Sequence, residues 1–160
     1  SQINTSNPVG NVGAFIDEGT MVDSHVLVGS CAQIGKHVHL SAGVQIGGVL
    51  EPVGQTPVII EDGCFIGAHA AIVEGIEIRA YAVIAPGVIL SRATQVYDCV
   101  HERILSKGEA IPERAVVVPG SRPLASAWGK QHGLQLATPL IIKYRDKKTE
   151  AAIVLEQALR

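Results

Sequence analysis

The residues of this chain that could carry out chemistry are its histidines, its cysteines and a group of cations near the end of the sequence. Histidine exchanges a proton near neutral pH, and histidine and cysteine are both common metal ligands. The three cysteines, Cys31, Cys64 and Cys99, form no C-x-x-C pair and are odd in number, which argues against a zinc site and a disulfide framework. We therefore expect reduced thiols and no metal. The histidines, for which a surface or hydrogen-bonded role is the simplest interpretation, are His25, His37, His39, His69, His101 and His132.

The densest group of cations consists of Lys143, Arg145, Lys147 and Lys148. Such a cluster suits contacts to phosphate groups, although an ordinary solvated surface explains it more simply. There is no G-x-G-x-x-G or Walker-type run, so no nucleotide-binding fold is indicated. The net charge of −2 predicts neither a nucleic-acid partner nor a membrane partner. No charged-then-apolar leader opens the chain and no long apolar run occurs, so we expect a soluble, cytoplasmic protein.

The element that must position these residues is indicated by a period of six. Between Ile16 and Glu51, and again between Ile60 and Gln95, the chain divides into blocks of six that each begin with Ile, Leu or Val. We call each block a hexad and number its places from the aliphatic residue. The fifth place is mostly small or β-branched, and Ile111 and Val117 resume the phase. A period of six fits neither a helix nor a half-buried strand, but it is typical of a parallel β-helix in which three hexads make one coil.

This pattern predicts an all-β fold of about five coils with the first-place aliphatic side chains stacked inside. Known hexapeptide-repeat proteins coil left-handed, and by that likeness we expect a left-handed parallel β-helix over residues 1–122. The register shifts by two between Ile46 and Ile60, and the segment "GVLEPVGQTP" with its prolines and glycines indicates a protruding loop over 48–57. A second interruption is the segment "VYDCVHERILSKGEA".

Beyond the repeat, residues 123–160 are expected to form a C-terminal extension that caps one end of the β-helix. The segment "LASAWGKQHGLQL" is interpreted as a polar connection and "ATPLIIKYRDK" as a strand. The final segment, "TEAAIVLEQALR", predicts a short amphipathic α-helix capped by Thr149.

Three segments of the chain, "GAFIDEGTMVD", "VGSCAQIGKHVHLSAGVQIGGVLEP" and "VIIEDGCFIGA", resemble the tetrahydrodipicolinate N-succinyltransferases of bacterial diaminopimelate and lysine biosynthesis. The resemblance implies a homotrimer with an acyl-CoA thioester, succinyl-CoA or acetyl-CoA, in the groove between neighbouring β-helices, where the protruding loop closes the site. It also implies a small-molecule amine as acceptor. Family chains carry an additional N-terminal helical domain, so either this chain is a fragment or its acceptor site is incomplete.

The resemblance further implies roles for particular residues. Asp23, at the end of "EGTMVD", matches the position that contacts the amine, where a carboxylate can hold an ammonium and accept its proton. Gln45 and Glu51 are the other expected substrate contacts. Acyl-CoA is expected to meet the small residues Gly67 and Ala85 and, through its phosphates, the cations Lys143, Arg145, Lys147 and Lys148.

The chain departs from the family where Arg-Ser-Glu is usual, because it has His69, Ala70 and Ala71 there. The family glutamate is a candidate base, and Ala71 cannot accept a proton. His69 and Glu74 are therefore further catalytic candidates, although Glu74 occupies a different place of its hexad from Ala71. Three alternatives stay open: succinyl transfer to tetrahydrodipicolinate without that glutamate, a paralogue with another acceptor or acetyl-CoA as donor, as in tabtoxin-type biosynthesis, and an inactive trimeric scaffold.

Overall fold

The protein is a left-handed parallel β-helix, seen here in a computed structural model that describes residues 2–3, 9–49, 55–146 and 151–160. Fourteen short strands pass in turn to three sheets, A, B and C, which form the faces of a triangular prism. In chain order these strands are β1 Gln2–Ile3, β2 Val9–Gly10, β3 Phe15–Ile16, β4 Met21–Val22, β5 Leu27–Val28, β6 Gln33–Ile34, β7 His39–Leu40, β8 Gln45–Ile46, β9 Ile59–Ile60, β10 Phe65–Ile66, β11 Ala71–Ile72, β12 Glu77–Ile78, β13 Val83–Ile84 and β14 Ile89–Leu90.

Each strand consists of the sixth place of one hexad and the first place of the next. Because side chains alternate along a strand, the first-place residue points into the prism and the sixth-place residue points outward. The first-place residues Ile34, Leu40, Ile46, Ile60, Ile66, Ile72, Ile78, Ile84 and Leu90 are all 1% exposed or less. The predicted aliphatic core is therefore confirmed, and each such side chain contributes roughly 1.5–3 kcal/mol through burial.

The fourth place of the hexad has a property that the sequence analysis did not anticipate. In most hexads it adopts a positive φ, whether it is occupied by glycine, as at Gly43, or by a larger residue, as at His69 (φ 57°). The larger residue lies over the glycine of the preceding coil: a Cβ built on Gly43 would lie 2.6 Å from the His69 ring. Glycine and a bulky side chain thus share one corner in successive coils, because only glycine leaves room for the ring above it.

The loop between sheets B and C is longer than the sequence analysis predicted. Ile46 lies in β8 of sheet B and Ile60 in β9 of sheet C, which are consecutive faces normally separated by one hexad. Ile46 and Ile60 are fourteen residues apart where six would suffice, so the insertion is eight residues and not two. The block from Ile46 to Glu51 therefore does not lead to a separate strand on a further face of the prism. Residues 50–54 of the predicted loop lie outside the described part of the chain.

After β14 the chain leaves the prism and returns. The remaining elements are β15 Tyr97–Asp98, β16 Arg103–Ile104, β17 Ala115–Val118, β18 Ser121–Pro123, α1 Ala127–Gln131, β19 Gln135–Ala137, β20 Leu140–Tyr144 and α2 Ala151–Ala158. Strands β15 and β16 form the predicted second interruption, Ile111 bridges to Ile78 of sheet C, and β17 continues sheet A.

The chain end covers the edge of sheet A, since β20 pairs antiparallel with β17 and α2 packs against β17. The predicted C-terminal strand and helix are confirmed, whereas the cap at Thr149 lies outside the described residues. The segment "LASAWGKQHGLQL", interpreted as a polar connection, does join β18 to β19, but it contains a short helix that the sequence analysis did not predict. That stretch lies mostly within a β18–β19 hairpin and carries α1, whose first turn is capped by the Ser126 hydroxyl accepting from the Gly129 N–H at 3.0 Å. None of the described helices is long and apolar enough to cross a membrane.

Candidate active site

Four of the residues proposed from the sequence lie at one edge of the prism, the corner between sheets A and B. Asp23 follows β4, Gly67 and His69 follow β10, and Ala85 follows β13. The backbone joins these turns coil to coil, because the Asp23 N–H donates to the Leu40 carbonyl at 3.0 Å and the Gly67 N–H to the Ile84 carbonyl at 2.8 Å. Backbone hydrogen bonds between successive turns therefore hold the predicted side chains in fixed positions. We call this edge the A–B corner.

Asp23 stands beside a histidine that the sequence analysis did not select. The carboxylate of Asp23 accepts a 2.6 Å hydrogen bond from the Ser24 N–H and lies close enough to His39 to raise the pKa of its imidazole. Burial of His39 outweighs that effect and lowers its pKa below the ordinary value of 6.5. The His39 ring is stacked on Phe65, with ring centroids 4.7 Å apart. The half-buried carboxylate of Asp23 thus lies near an imidazole whose pKa is lowered by burial, which favours the neutral form.

The repeat could have revealed this pair. One coil is eighteen residues where no insertion intervenes, so His39 lies directly beside Met21, two residues before Asp23, and the structure pairs the two residues across β4 and β7. What the sequence could not supply is the burial that keeps His39 neutral.

On the sheet B side of the corner, the row of outward residues consists of Leu27, Gln45, Ala71 and Ile89. Gln45 donates from its amide to the Gly43 carbonyl at 3.2 Å and is exposed. Ala71, where the resemblance implies a glutamate, presents only a methyl group between Gln45 and Ile89. His69 is exposed at the same corner, so the structure brings Asp23, Gln45 and His69 to neighbouring positions.

Glu74 lies elsewhere, at the corner between sheets B and C, which we call the B–C corner. It follows β11, and its carboxylate accepts a 2.9 Å hydrogen bond from the backbone N–H of Arg92 one coil above. Within one chain it is therefore separated from Asp23 by the width of sheet B. Glu51, the other acidic candidate, lies outside the described residues.

The proposed acyl-CoA contacts lie in two places. Gly67 and Ala85 are buried at the A–B corner and their N–H groups already donate to carbonyls within the β-helix, so they could meet an acyl-CoA only through close packing. Next to them a cavity of about 240 Å³ lies between Gly87, Ile89 and Pro139. Its walls are mostly aliphatic, which suits the thin, flexible pantetheine arm of an acyl-CoA.

The cations lie near the third corner, between sheets C and A. Lys143 donates to the Gln157 side chain at 3.3 Å, and Arg145 reaches the Tyr81 carbonyl at 3.5 Å. Burial and the nearby Arg114 lower the pKa of Arg145. Lys147 and Lys148 lie outside the described residues. Within the described ranges no three metal-ligating side chains are placed to hold an ion.

The buried thiol of Cys64 is unreactive. Cys64 donates to the Arg79 carbonyl at 3.1 Å, and burial raises its thiol pKa to about 12. A thiol in that state supplies almost no thiolate at neutral pH, so it is not a nucleophile. All three cysteines are free.

Comparison with known proteins places these features in context. A family model described as the hexapeptide repeat of succinyl-transferase matches residues 57–92. A 2,3,4,5-tetrahydropyridine-2,6-dicarboxylate N-succinyltransferase of Idiomarina loihiensis is 51% identical over 94% of this chain and 52% of its own length. One of Polynucleobacter asymbioticus is 49% identical over 94% of this chain and 52% of its own length.

The chain spans about half the length of the curated relatives it matches. A solved serine acetyltransferase of Neisseria gonorrhoeae aligns with 74% of this chain and 42% of its own, at 24% identity and a TM-score of 0.47, which is too weak to carry the assignment. The assignment rests on the sequence relatives, which confirm the resemblance seen in the sequence motifs. Over 94% of its length the chain is similar to these 2,3,4,5-tetrahydropyridine-2,6-dicarboxylate N-succinyltransferases, of which it matches about half.

Proposed function

We propose that the protein is a CoA-dependent N-acyltransferase that transfers succinyl from succinyl-CoA to the amine of tetrahydrodipicolinate (2-amino-6-oxopimelate) in lysine and diaminopimelate biosynthesis. The observation that carries the proposal is the position of Asp23 at the A–B corner, two residues after the strand partner of His39, in a chain 51% identical to a named succinyltransferase over the part that it matches. Such a pair supplies what amide formation from an amine needs, a charge to hold the ammonium and a base to take its proton.

The reaction follows from the roles of these groups. Asp23 binds the protonated amine, and loss of a proton to the neutral imidazole of His39 frees the nitrogen lone pair. The nitrogen attacks the thioester carbonyl, the new C–N bond forms, and the C–S bond breaks. Of the two protons that the ammonium loses in becoming an amide, the first passes through His39 to solvent, and the second, lost as the C–N bond forms, protonates the departing CoA thiolate. No covalent enzyme intermediate is required, and positioning at the A–B corner lowers the barrier.

The acyl-CoA and the assembly belong to the same proposal. The pantetheine arm lies along the A–B corner past Gly67 and Ala85 into the cavity beside Gly87, and cations at the chain end, Lys143 and Arg145 among them, contact the phosphates. Three chains assemble so that the groove lies between neighbouring prisms. The protein acts in the cytoplasm, where its three free thiols stay reduced.

A second candidate is the same reaction class with another amine acceptor or with acetyl-CoA as donor. It is favoured by one observation, the uncharged row of Leu27, Gln45, Ala71 and Ile89 where the family places a carboxylate. The missing charge alters what the site recognises and leaves Asp23 and His39 in place.

The test follows free thiol release from succinyl-CoA and from acetyl-CoA by the full-length protein with tetrahydrodipicolinate and other amines. Asp23→Asn is expected to lower kcat/KM by about 100-fold or more. Asp17→Asn is the matched control, because Asp17 occupies the same hexad place at another corner and likewise accepts from the next N–H, at 2.7 Å. Equal activity of the two variants would remove Asp23 from the site. An absence of thiol release with every pair would leave the inactive scaffold as the explanation.

A further inference from the structure

The B–C corner carries a second cavity that the proposed mechanism does not use. Its volume is about 550 Å³, and its described lining consists of Gln55, Thr56, Glu74, Arg92, Ala93 and Lys107. Three separate segments form its walls: the end of the protruding loop, two stacked corner turns, and the excursion that follows β16. The cavity is therefore a tertiary feature of the fold and not a property of one turn.

Among the described residues, the two cations in this cavity, Arg92 and Lys107, have no carboxylate partner. Several other cations of the chain are paired, as Lys36 is with Glu18 at 2.9 Å and Arg79 with Glu61 at 3.0 Å, whereas exposed Lys130 has no ion pair to a described residue. For Arg92 and Lys107, the described residues supply no ion pair and no side-chain hydrogen bond. Two cations that face a shared cavity repel one another, so an anion between them lowers the energy of both.

The fold holds Arg92 in place through its backbone. The Glu74 carboxylate accepts from the Arg92 N–H at 2.9 Å, which fixes the turn. The Arg92 Nε lies 3.8 Å from the position that a Cβ on Gly108 would occupy, so the side chain reaches across to the turn that bears Lys107. On the opposite wall, Thr56 packs so closely on Gly75 that a Cβ there would meet the Thr56 carbonyl at 2.3 Å. The cavity thus has fixed sides.

The charge of the lining indicates which anion fits. In the described lining, two cations and the carboxylate of Glu74 leave one net positive charge, which matches one carboxylate better than a doubly charged phosphate. Arginine offers a planar pair of N–H donors that a carboxylate accepts side by side, and lysine adds a point charge. The hydroxyl of Thr56 and the amide of Gln55 can complete the hydrogen bonds of the bound group.

We propose that this cavity binds an aliphatic carboxylate of a substrate, held by Arg92 and Lys107, and that Glu74 is a positioning residue for Arg92. The inference rests on the proposed acyl transfer and on the proposed trimer, because within one chain the cavity is separated from Asp23 by the width of sheet B, so a substrate at Asp23 would place its carboxylate in the cavity of a neighbouring chain. Two substrates bear such a group: the free end of the succinyl chain and the dicarboxylic amine acceptor. In either case the cavity determines specificity and takes no part in bond making.

The kinetic test compares Arg92→Gln, Lys107→Gln and their double variant in the full-length protein. Lys36→Gln is the matched control, because Lys36 is an exposed cation in the same hexad place as Arg92 but at another corner. Each cavity variant is expected to raise KM for the carboxylate-bearing substrate about tenfold with kcat changed less than about twofold. If the cavity holds the succinyl end, the preference for succinyl-CoA over acetyl-CoA falls. If it holds the acceptor, KM for the acceptor rises with both donors.

Direct binding separates this inference from the proposed function. Succinate and pimelate are titrated calorimetrically into the full-length protein and the double variant, with inorganic phosphate as competitor. We expect binding of at least one dicarboxylate to be lost in the double variant and retained in Lys36→Gln, even if no acyl transfer is found. The inference is overturned by unchanged binding in the double variant, by no binding to the unmodified protein, or by stronger competition from phosphate than from the other dicarboxylate.

Discussion

Asp98 offers the sharpest test of how the excursion after β14 is attached to the β-helix. Its side chain is 1% exposed and accepts four hydrogen bonds: from the Tyr144 hydroxyl at 2.6 Å, from the His101 ring nitrogen Nδ1 at 2.8 Å, and from the N–H groups of Val100 and His101 at 3.0 and 3.1 Å. Tyr144 lies in β20 and Asp98 in β15, so one carboxylate joins two elements far apart in sequence. We predict that Asp98→Ala is strongly destabilising.

The size of the effect follows from the donors left behind. His101 is largely exposed and water can replace its lost bond, whereas the Tyr144 hydroxyl and the two backbone N–H groups stay at least partly buried. Three unsatisfied donors at roughly 1–1.5 kcal/mol each give a loss of about 3–4 kcal/mol. Tyr144→Phe removes one bond to a charged acceptor and should cost about 2 kcal/mol. The double variant should lose about 4 kcal/mol, less than the sum, because both changes remove the same bond.

Urea unfolding at fixed protein concentration, followed by circular dichroism, measures these differences. Tyr97→Phe is the control, since the Tyr97 hydroxyl makes no hydrogen bond to the described residues, and its change should stay within about 0.5 kcal/mol. A loss below about 1 kcal/mol for Asp98→Ala, or simple additivity with Tyr144→Phe, would refute the reasoning.

The pH dependence checks the same point with Asp98→Asn. Burial alone would raise the pKa of Asp98, but the hydrogen bonds from Tyr144, His101 and the backbone outweigh it and hold the pKa below 3.8. A depressed carboxyl pKa contributes stability above the unfolded value, and that contribution is lost as the pH falls through the folded value. The difference in unfolding free energy between the protein and Asp98→Asn should therefore shrink below about pH 3.8. A difference that is constant across that range would contradict the assignment.

Three further predictions concern the prism. Ile72→Ala should lower the free energy of unfolding in urea by about 2–5 kcal/mol, because the substitution leaves an empty space in a close-packed column of side chains. Ile89→Ala, at a residue that is 60% exposed, should lower it much less, and similar losses would argue against the inward direction of the first place. Gly43→Ala should lower the melting temperature, because Gly43 has a φ of +71° and the new Cβ would meet the His69 ring. Adding His69→Gly should recover part of that loss, and no recovery would exclude the steric explanation. His39→Gln should flatten the fall in stability as the pH drops below about 6.5, because a His pKa lowered by folding makes protonation destabilising; an unchanged slope would place His39 outside the titrating groups.

Much of the fold could be predicted because the hexad encodes side-chain direction locally. Ile66, Ile72 and Ile78 point inward for the same reason, which is that side chains alternate in direction along a two-residue strand. The direction of each side chain therefore depends on local sequence and not on distant residues. The α1 helix was missed because five residues in a hairpin produce too little helical periodicity to be seen. The length of the loop insertion was misjudged because sequence phase does not identify the face of the prism on which the chain resumes.

The sequence by itself determined the repeat, the inward column of aliphatic residues and, through its motifs, the resemblance to the N-succinyltransferases. Only the tertiary structure decided which side chains meet. Asp23 faces His39, and Glu74 supports Arg92 instead of joining Asp23, because the stacking of coils brings together residues about eighteen positions apart and each corner collects a different set. Burial at those corners then sets the protonation of His39, and burial is a property of the packed assembly of elements that no single stretch of sequence carries.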